Sequence, residues 1–282
     1  MLVAAACSSP AAIPGDAGRD DVEAVDAGGA DASEDLSTQQ DTSVSSPSGE
    51  LMPVGDPPGW HQIFADDFTT DVPRGSFPGA VSSKWTAYQD GWTDTSKNGT
   101  YEPSQVLSVS GGVLDMYLHT ANGIHMVSAP EPILPGGSPG LLYGRYVVRF
   151  HSDPVPGYKT AWLLWPDDGV WPQHGEIDFP EGDLSSTMSA FMHHMNATSG
   201  SQQDAYSTSV TYPSWHTADL VWTSTVCSFT LDGTTIGTST ALIPSTPMHW
   251  VLQTETQLSG GPPSDTANGH VQVDWVVVYV PS

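Results

Sequence analysis

Positive charge is scarce in this sequence. Lys and Arg together number 7 among 282 residues, against 32 Asp and Glu, and the net charge is −25. Nucleic acids and other polyanions bind to basic patches that replace their counterions. So few cations cannot form such a patch, so we expect no nucleic-acid partner. A neutral ligand fits better than an acidic polysaccharide.

Cysteine and long apolar runs are also scarce. The two cysteines are Cys7 and Cys227, which excludes a disulfide framework and a cysteine-based metal site. Cys227 lies in "TSTVCSFTLDG", whose alternation is typical of a strand, so we expect a buried structural thiol. No segment approaches the ~20 apolar residues that a membrane-spanning helix needs.

Aromatic residues are absent before Trp60. Residues 16–56 are rich in Ala, Asp, Gly, Ser and Glu, and such a segment buries too little apolar surface to offset its ordering entropy. The composition predicts two parts. Residues 1–55 would form a signal-like N-terminus with a disordered acidic linker, and residues 56–282 would form one folded domain.

The N-terminal "MLVAAACSSP" resembles the end of a bacterial lipoprotein signal, in which small residues precede a lipidated cysteine. It lacks a positive start and its apolar part is short. Two interpretations stay open: a misassigned start with a longer signal, or a chance match. We expect export to the extracellular space or the cell surface, with a lipid anchor at Cys7 as the only membrane attachment.

From Trp60 onward the pattern is almost wholly that of β-strands, each bounded by Gly, Pro, Asn or Asp. "QVLSVSGGVLDMYLHT" predicts a hairpin that turns at Gly111–Gly112, and "LDGTTIG" predicts another at Asp232–Gly233. Many short strands with regular turn signals favour a sandwich or jelly roll.

The stretch "HGEIDFPEGD", residues 174–183, concentrates three carboxylates. Glu176 and Asp178 are two apart and share one face of a strand, whereas Glu181 is three further on and falls on the other face. A β-bulge with one extra residue would restore the parity. Pro180 lies where that residue belongs, and proline inside a sheet is confined to edges and bulges. The pattern therefore predicts that all three carboxylates face one cleft.

Two carboxylates across a cleft are the machinery of glycoside hydrolysis, and a separation of ~5–5.5 Å gives retention. A third carboxylate can raise the pKa of a neighbour. The alternative is a Ca²⁺ loop, which needs oxygen ligands from several directions. Same-face strand residues suit a flat cleft better than a closed cage.

The chain resembles glycoside hydrolase family 16, whose members carry E-x-D-x-x-E. "WPQHGEIDFPE" is similar to the family's W-P-x-x-G-E-I-D-x-x-E. "YGRYVVRF" and "GYKTAWLLWP" upstream, and "VQVDWVVVYVP" at the end, resemble further family segments. The resemblance spans about residues 60–282.

This resemblance implies an all-β fold: a concanavalin A-like jelly-roll sandwich of two antiparallel sheets, with a catalytic cleft on the concave face. It implies a retaining endo-hydrolase of β-linked polysaccharides that requires no cofactor. By position, Glu176 would be the nucleophile, Asp178 the assisting carboxylate and Glu181 the general acid/base. A β-1,3-glucan is the default substrate; β-1,3-1,4-glucan and β-galactans stay open.

Five further residues are candidates for binding the glycan, because sugars stack on aromatic rings and bond to polar groups. Trp171 matches the family's W-P tryptophan, and His193 and Gln253 match polar positions in relatives. Trp162 lies in a strand that is apolar on both faces and could equally be core. His174 shares the parity of Glu176 but could equally lie in solvent.

Asp274, in the last strand, is a candidate ligand for a structural Ca²⁺, which some relatives bind on the convex side. We expect a monomer whose partner is the polysaccharide. Two rival functions stay open: a non-catalytic carbohydrate-binding module on the same fold, and a transglycosylase.

Overall fold

A computed structural model describes residues 46–135 and 140–282. Cys7 and most of the predicted linker lie outside the described residues. Within the described residues strands dominate, with one 3-10 helix (Gly79–Val81) and one short α-helix, α1 (Pro103–Val106). The strands are β1 (Trp60–Asp66), β2 (Trp85–Ala87), β3 (Trp92–Thr93), β4 (Gly99–Tyr101), β5 (Leu107–Ser110), β6 (Val113–Ala121), β7 (Ile124–Val127), β8 (Pro130–Pro132), β9 (Gly144–Ser152), β10 (Tyr158–Pro166), β11 (Glu176–Asp183), β12 (Thr187–His193), β13 (Gln203–Thr211), β14 (His216–Trp222), β15 (Cys227–Leu231), β16 (Thr234–Ser239), β17 (Met248–Thr256) and β18 (Gly269–Pro281).

These strands form two large sheets. The 11-stranded sheet has the order β16-β15-β14-β9-β18-β6-β7-β4-β3, with β1 paired to β18 and β5 paired to β6. The 5-stranded sheet has the order β13-β12-β11-β10-β17, and β2 pairs with β8 in a separate ribbon. Pairing is antiparallel except between β4 and β7. The predicted all-β sandwich is confirmed.

The core lies where the two sheets face each other. Phe150 of β9 meets Trp162 of β10 with ring centroids 4.9 Å apart, and Tyr146 of β9 meets Trp250 of β17 at 5.4 Å. All four side chains are buried. The other face of the 5-stranded sheet points away from the large sheet.

Both predicted hairpins are present. The β5–β6 turn has φ of 61° at Gly111 and 80° at Gly112, and the β15–β16 turn has φ of 49° at Asp232 and 76° at Gly233. Two consecutive positive φ angles match the twist of the flanking strands, and Gly, Asn and Asp tolerate them best. Cys227, at the start of β15, is buried and free, as predicted.

The final strand, β18, occupies the middle of the large sheet, between β9 and β6. The segment Ser46–Glu50 contacts it from outside. The Ser46 hydroxyl and the Ser48 amide both donate to Asp274 Oδ2, and Trp275 Nε1 donates to the Glu50 carbonyl at 2.8 Å. The predicted linker extended to residue 55, so its last part is in contact with the sheet.

Membrane-spanning helices are not found within residues 46–135 and 140–282: no helix there is both long and apolar enough to cross a bilayer.

Candidate active site

The three carboxylates lie on β11, the central strand of the 5-stranded sheet. Against β12, Asp178 pairs with Phe191 and Glu181 pairs with Ser189, so two residues on β11 oppose one on β12. The register against β10 shifts at the same place. The predicted bulge is therefore confirmed, and it contains Phe179 and Pro180.

The bulge separates the apolar and acidic side chains. Phe179 is 2% exposed and meets Phe229 of the opposite sheet at 5.6 Å. The side chains of Glu176 and Glu181 keep 13% and 20% exposure, while Asp178 keeps 3%. Partly exposed carboxylates on either side of a buried one can reach a ligand in the cleft.

Burial dominates the electrostatics of the first two carboxylates. It raises the pKa of Glu176 well above its ordinary value, Asp178 and Glu181 add to the rise, and His193 opposes it. Burial likewise raises the pKa of Asp178, and the Glu181 charge adds to this. The carboxyl oxygens of Glu176 and Asp178 lie within 4.8 Å of each other, and two carboxylates this close favour a state in which one of them holds a proton.

His193 lies beside this pair. It is the cross-strand neighbour of Glu176, and its Nε2 is 3.4 Å from Asp178 Oδ2 and 3.9 Å from Glu176 Oε2. Its Nδ1 is 2.8 Å from the Gly200 carbonyl, which can only accept, so Nδ1 carries a proton. The sequence analysis predicted His193 as a glycan-binding residue, and the structure places it beside Glu176 and Asp178.

A buried lysine lies beside Glu181. Lys159, on β10, is 5% exposed, and its Nζ is 2.5 Å from Glu181 Oε1 and 3.5 Å from Glu255 Oε1. Burial alone would lower the pKa of Lys159, but Glu181 and Glu255 outweigh it and raise that pKa above its usual value. The ammonium therefore stays charged.

Two tryptophans flank the other end of the carboxylates. Trp171 stacks on Trp165 with centroids 6.2 Å apart and planes 18° apart, and meets His193 edge-on at 6.1 Å. A Cβ on Gly200 would lie 2.3 Å from the Trp171 ring, so glycine at that position lets the indole approach the backbone. Trp171 thus lies beside His193, the cross-strand neighbour of Glu176.

Gln253 also lies on the cleft face. It pairs across β17 and β10 with Ala161, and Ala161 pairs in turn with Glu181. Gln253 is 7% exposed. Ala161 lies between Gln253 and Glu181, and its small side chain leaves the space between these two side chains open.

Of the other two candidate binding residues, one lies in the core and the other lies in a turn outside β11. Trp162 is fully buried against Phe150 in the core, because even-numbered residues of β10 point towards the large sheet. His174 lies in a turn before β11 and binds Asp168 Oδ2 at 2.8 Å. Gly175, with φ of 76°, interrupts the alternation on which the His174 prediction depended.

Side chains that could together hold a metal ion cluster at one place in the described parts of the chain. The ligand atoms of Glu176, Asp178 and His193 lie within 4.8 Å of one another. The carboxylates of this group are those that the chemistry of the cleft would use. At Asp274, two donors already occupy Oδ2, and a cation would compete with them for the same lone pairs. A structural Ca²⁺ at Asp274 stays a prediction.

An open pocket of about 320 Å³ lies on the Glu181 side of the cleft. Lys159, Glu181, Ser189, Phe191 and Leu258 are among its lining residues. The pocket offers hydrogen-bonding groups together with the Phe191 ring, which suits one or two sugar units.

Comparison with known proteins agrees with this geometry. Residues 94–277 match the family model of glycosyl hydrolases family 16. The chain belongs to this family. The match contains the whole of β11 and the strands on both sides of it, so the family assignment covers the carboxylate site itself.

A curated relative is the endo-1,3-1,4-β-glycanase EglC of Rhizobium meliloti, 28% identical over 243 residues that cover 77% of this chain and 51% of EglC. The chain therefore spans about half the length of this relative. SCLam, a non-specific endo-β-1,3(4)-glucanase, has a TM-score of 0.64 at 21% identity, covering 86% of this chain and 99% of SCLam. A pseudo β-1,3-glucanase of Mycobacterium tuberculosis has a TM-score of 0.62 at 20% identity, covering 78% and 99%. These structural likenesses establish the fold.

Three site residues of this family 16 chain were not among the predicted ones: Lys159, Glu255 and Trp165. Strand alternation is the signal that could have identified them. Lys159 and Trp165 share odd numbering with Ala161 on β10, so all three lie on one face of that strand. Reading that signal requires the register between β10 and β17, which pairs Lys159 with Glu255.

Proposed function

We propose that this chain is a retaining endo-hydrolase of β-linked bonds in a neutral polysaccharide, a β-1,3-glucan first of all. The bulge that turns Glu176, Asp178 and Glu181 to one face carries the proposal. EglC is an endo-1,3-1,4-β-glycanase and SCLam is a non-specific endo-β-1,3(4)-glucanase, and both activities support this substrate class.

The proposed reaction is a double displacement. Glu176 attacks the anomeric carbon while Glu181 protonates the leaving oxygen; water, deprotonated by Glu181, then releases the sugar with retained configuration. Glu176 must be ionised to attack, so the proton that it shares with Asp178 resides on Asp178 in the reactive form. Asp178 then donates to Glu176 and orients it. The carboxylates supply the chemistry, and the reaction requires no cofactor.

Sugar binding is assigned to the residues around the triplet. We propose Trp171 and Trp165 as the stacking surface next to Glu176, since their rings lie in the cleft beside His193. Gln253 is the proposed polar contact on the β17 side. Lys159 is the cleft's buried cation and is already paired, which agrees with a neutral glycan.

The function is tested by expressing residues 46–282 and measuring reducing ends released from laminarin, lichenan, agarose and xyloglucan. We expect release from laminarin first. Release from another member of the panel alone would reassign the glycan. Binding without release, in a protein that unfolds cooperatively, would contradict hydrolysis and favour the carbohydrate-binding module.

The electrostatics predict the acid limb of the pH profile. Because the pKa of Glu176 is raised, Glu176 becomes protonated at a higher pH than an ordinary glutamate, and kcat/KM should start to fall at that higher pH. His193 opposes the rise, so His193→Gln should move the acid limb up by roughly half to one pH unit. His61→Gln, which removes an exposed histidine, is the control. An acid limb that stays in place or moves down would contradict this assignment.

We also propose an exported, monomeric enzyme held at the cell surface through Cys7, with residues 1–45 as its tether. The lipoprotein-like "MLVAAAC" and the acidic composition of this segment support it. The domain would begin near Ser46, ahead of the boundary predicted from composition, since Ser46–Glu50 contacts β18.

A further inference from the structure

Lys159 is charged, buried and held between two carboxylates in the cleft. Burying an ammonium is costly unless partners and geometry compensate for the lost water. Glu181 and Glu255, at 2.5 Å and 3.5 Å, are those partners, and the Glu255 side chain is itself only 3% exposed. So costly an arrangement beside the proposed acid/base calls for a functional explanation.

The sheet register explains how Lys159 reaches both partners. Lys159 pairs with Glu255 on β17 and with Asp183 on β11. Glu181, two residues before Asp183, is its diagonal neighbour, a distance that long side chains can span. Ala161 pairs directly with Glu181, and its small side chain leaves space above it for the lysine.

Lys159 and Glu255 place opposite charges near Glu181. An acid/base group must hold a proton for the first step and lack it for the second. A cation at hydrogen-bond distance favours the ionised form, and a nearby anion favours the protonated form. We propose that Lys159 and Glu255 are a pair of positioning residues that sets the protonation balance of Glu181 and holds its carboxyl group in place.

Other charges facing this cluster are mostly negative. Asp178 lies on β11 and raises the pKa of Lys159 further, and Asp94 lies near Glu255. Asp183 pairs with Lys159, and the buried Tyr101 faces Glu255. On β12, His193 faces Asp178. Lys159 therefore supplies the positive charge that balances this acidic group.

The proposal rests on the acid/base role of Glu181, but its test does not need turnover. Carbon-13 NMR of labelled glutamate carboxyls follows the titration of Glu181, with its signal assigned by loss in Glu181→Gln. We expect the midpoint to rise by about one pH unit in Lys159→Met and to fall in Glu255→Gln. Lys97→Met, which removes an exposed lysine, should leave it unchanged. Midpoints that stay in place, or that move in the same direction in both variants, would overturn the proposal.

The pH profile of hydrolysis provides the second readout. The alkaline limb of kcat/KM should move up in Lys159→Met, move down in Glu255→Gln, and stay close to the parent in Lys159→Arg, which keeps the charge. If Lys159→Met fails to fold, two milder variants still test the proposal: Glu255→Gln preserves the size of the side chain and Lys159→Arg preserves its charge. If the Glu181 midpoint moves in opposite directions in the two variants but the parent hydrolyses no glycan, the proposed function is refuted and the proposed role of Lys159 and Glu255 stands. If the parent hydrolyses glycan but the Glu181 midpoint does not move in either variant, the proposed role of Lys159 and Glu255 is refuted and the proposed function stands.

Discussion

Replacing Glu176 by alanine is expected to reduce glucan hydrolysis by roughly four orders of magnitude or more, because it removes the attacking oxygen. The side chain is 13% exposed in the cleft, so its loss leaves a space that a small anion can enter. Azide should then attack from the side where Glu176 lay and restore turnover. The product should be the glycosyl azide of inverted configuration, which proton NMR identifies.

The matched control is Asp265→Asn, which removes an exposed carboxylate outside the cleft and should leave activity within a few-fold of the parent. Hydrolysis by Glu176→Ala within a few-fold of the parent would show that another group is the nucleophile.

Replacing Glu181 by alanine should give an effect that depends on the leaving group. Natural glucan has a poor leaving group that needs a proton, so its hydrolysis should fall by about 10²–10⁴-fold. An aryl glycoside with a good leaving group needs little protonation, so its first step should remain fast. The glycosyl-enzyme should then accumulate, visible as a burst of phenol, because no base activates water for the second step.

Azide distinguishes the two carboxylates by stereochemistry. In Glu181→Ala it should attack the glycosyl-enzyme and give the azide of retained configuration, opposite to the product of Glu176→Ala. If Glu176→Ala gave the azide of retained configuration and Glu181→Ala the azide of inverted configuration, Glu181 would be the nucleophile and Glu176 the acid/base. Glu181→Gln, which is closer in shape to the parent, separates the loss of the acid from the loss of packing near Lys159.

The bulge on β11 shows what a sequence can predict about a site. Strand alternation and the tolerance of proline at bulges are local properties, so the common face of Glu176, Asp178 and Glu181 could be predicted without knowing any neighbouring strand. The β-hairpins at Gly111–Gly112 and Asp232–Gly233 could be predicted for the same reason, since their turn residues carry the signal.

Other site residues depend on strands that are distant in the sequence. β10 is apolar on both faces, so only its pairing with β11 and β17 shows that Trp162 belongs to the core and Lys159 to the cleft. The place of Lys159 also depends on its length, which carries the ammonium diagonally to Glu181. Two places stayed open for His174, the cleft or solvent, because its parity with Glu176 holds only if Gly175 is extended, and the backbone leaves the extended conformation there.

The central position of β18 has a consequence for how this chain is made. Residues 269–281 supply the strand that lies between β6 and β9 and also pairs with β1. Among the described strands these residues are made last, so β6 and β9 lack their shared neighbour until residues 269–281 have been synthesised. Contacts between such distant residues slow the final folding step. A chain that stops before Gly269 would expose two open strand edges, which are prone to aggregation.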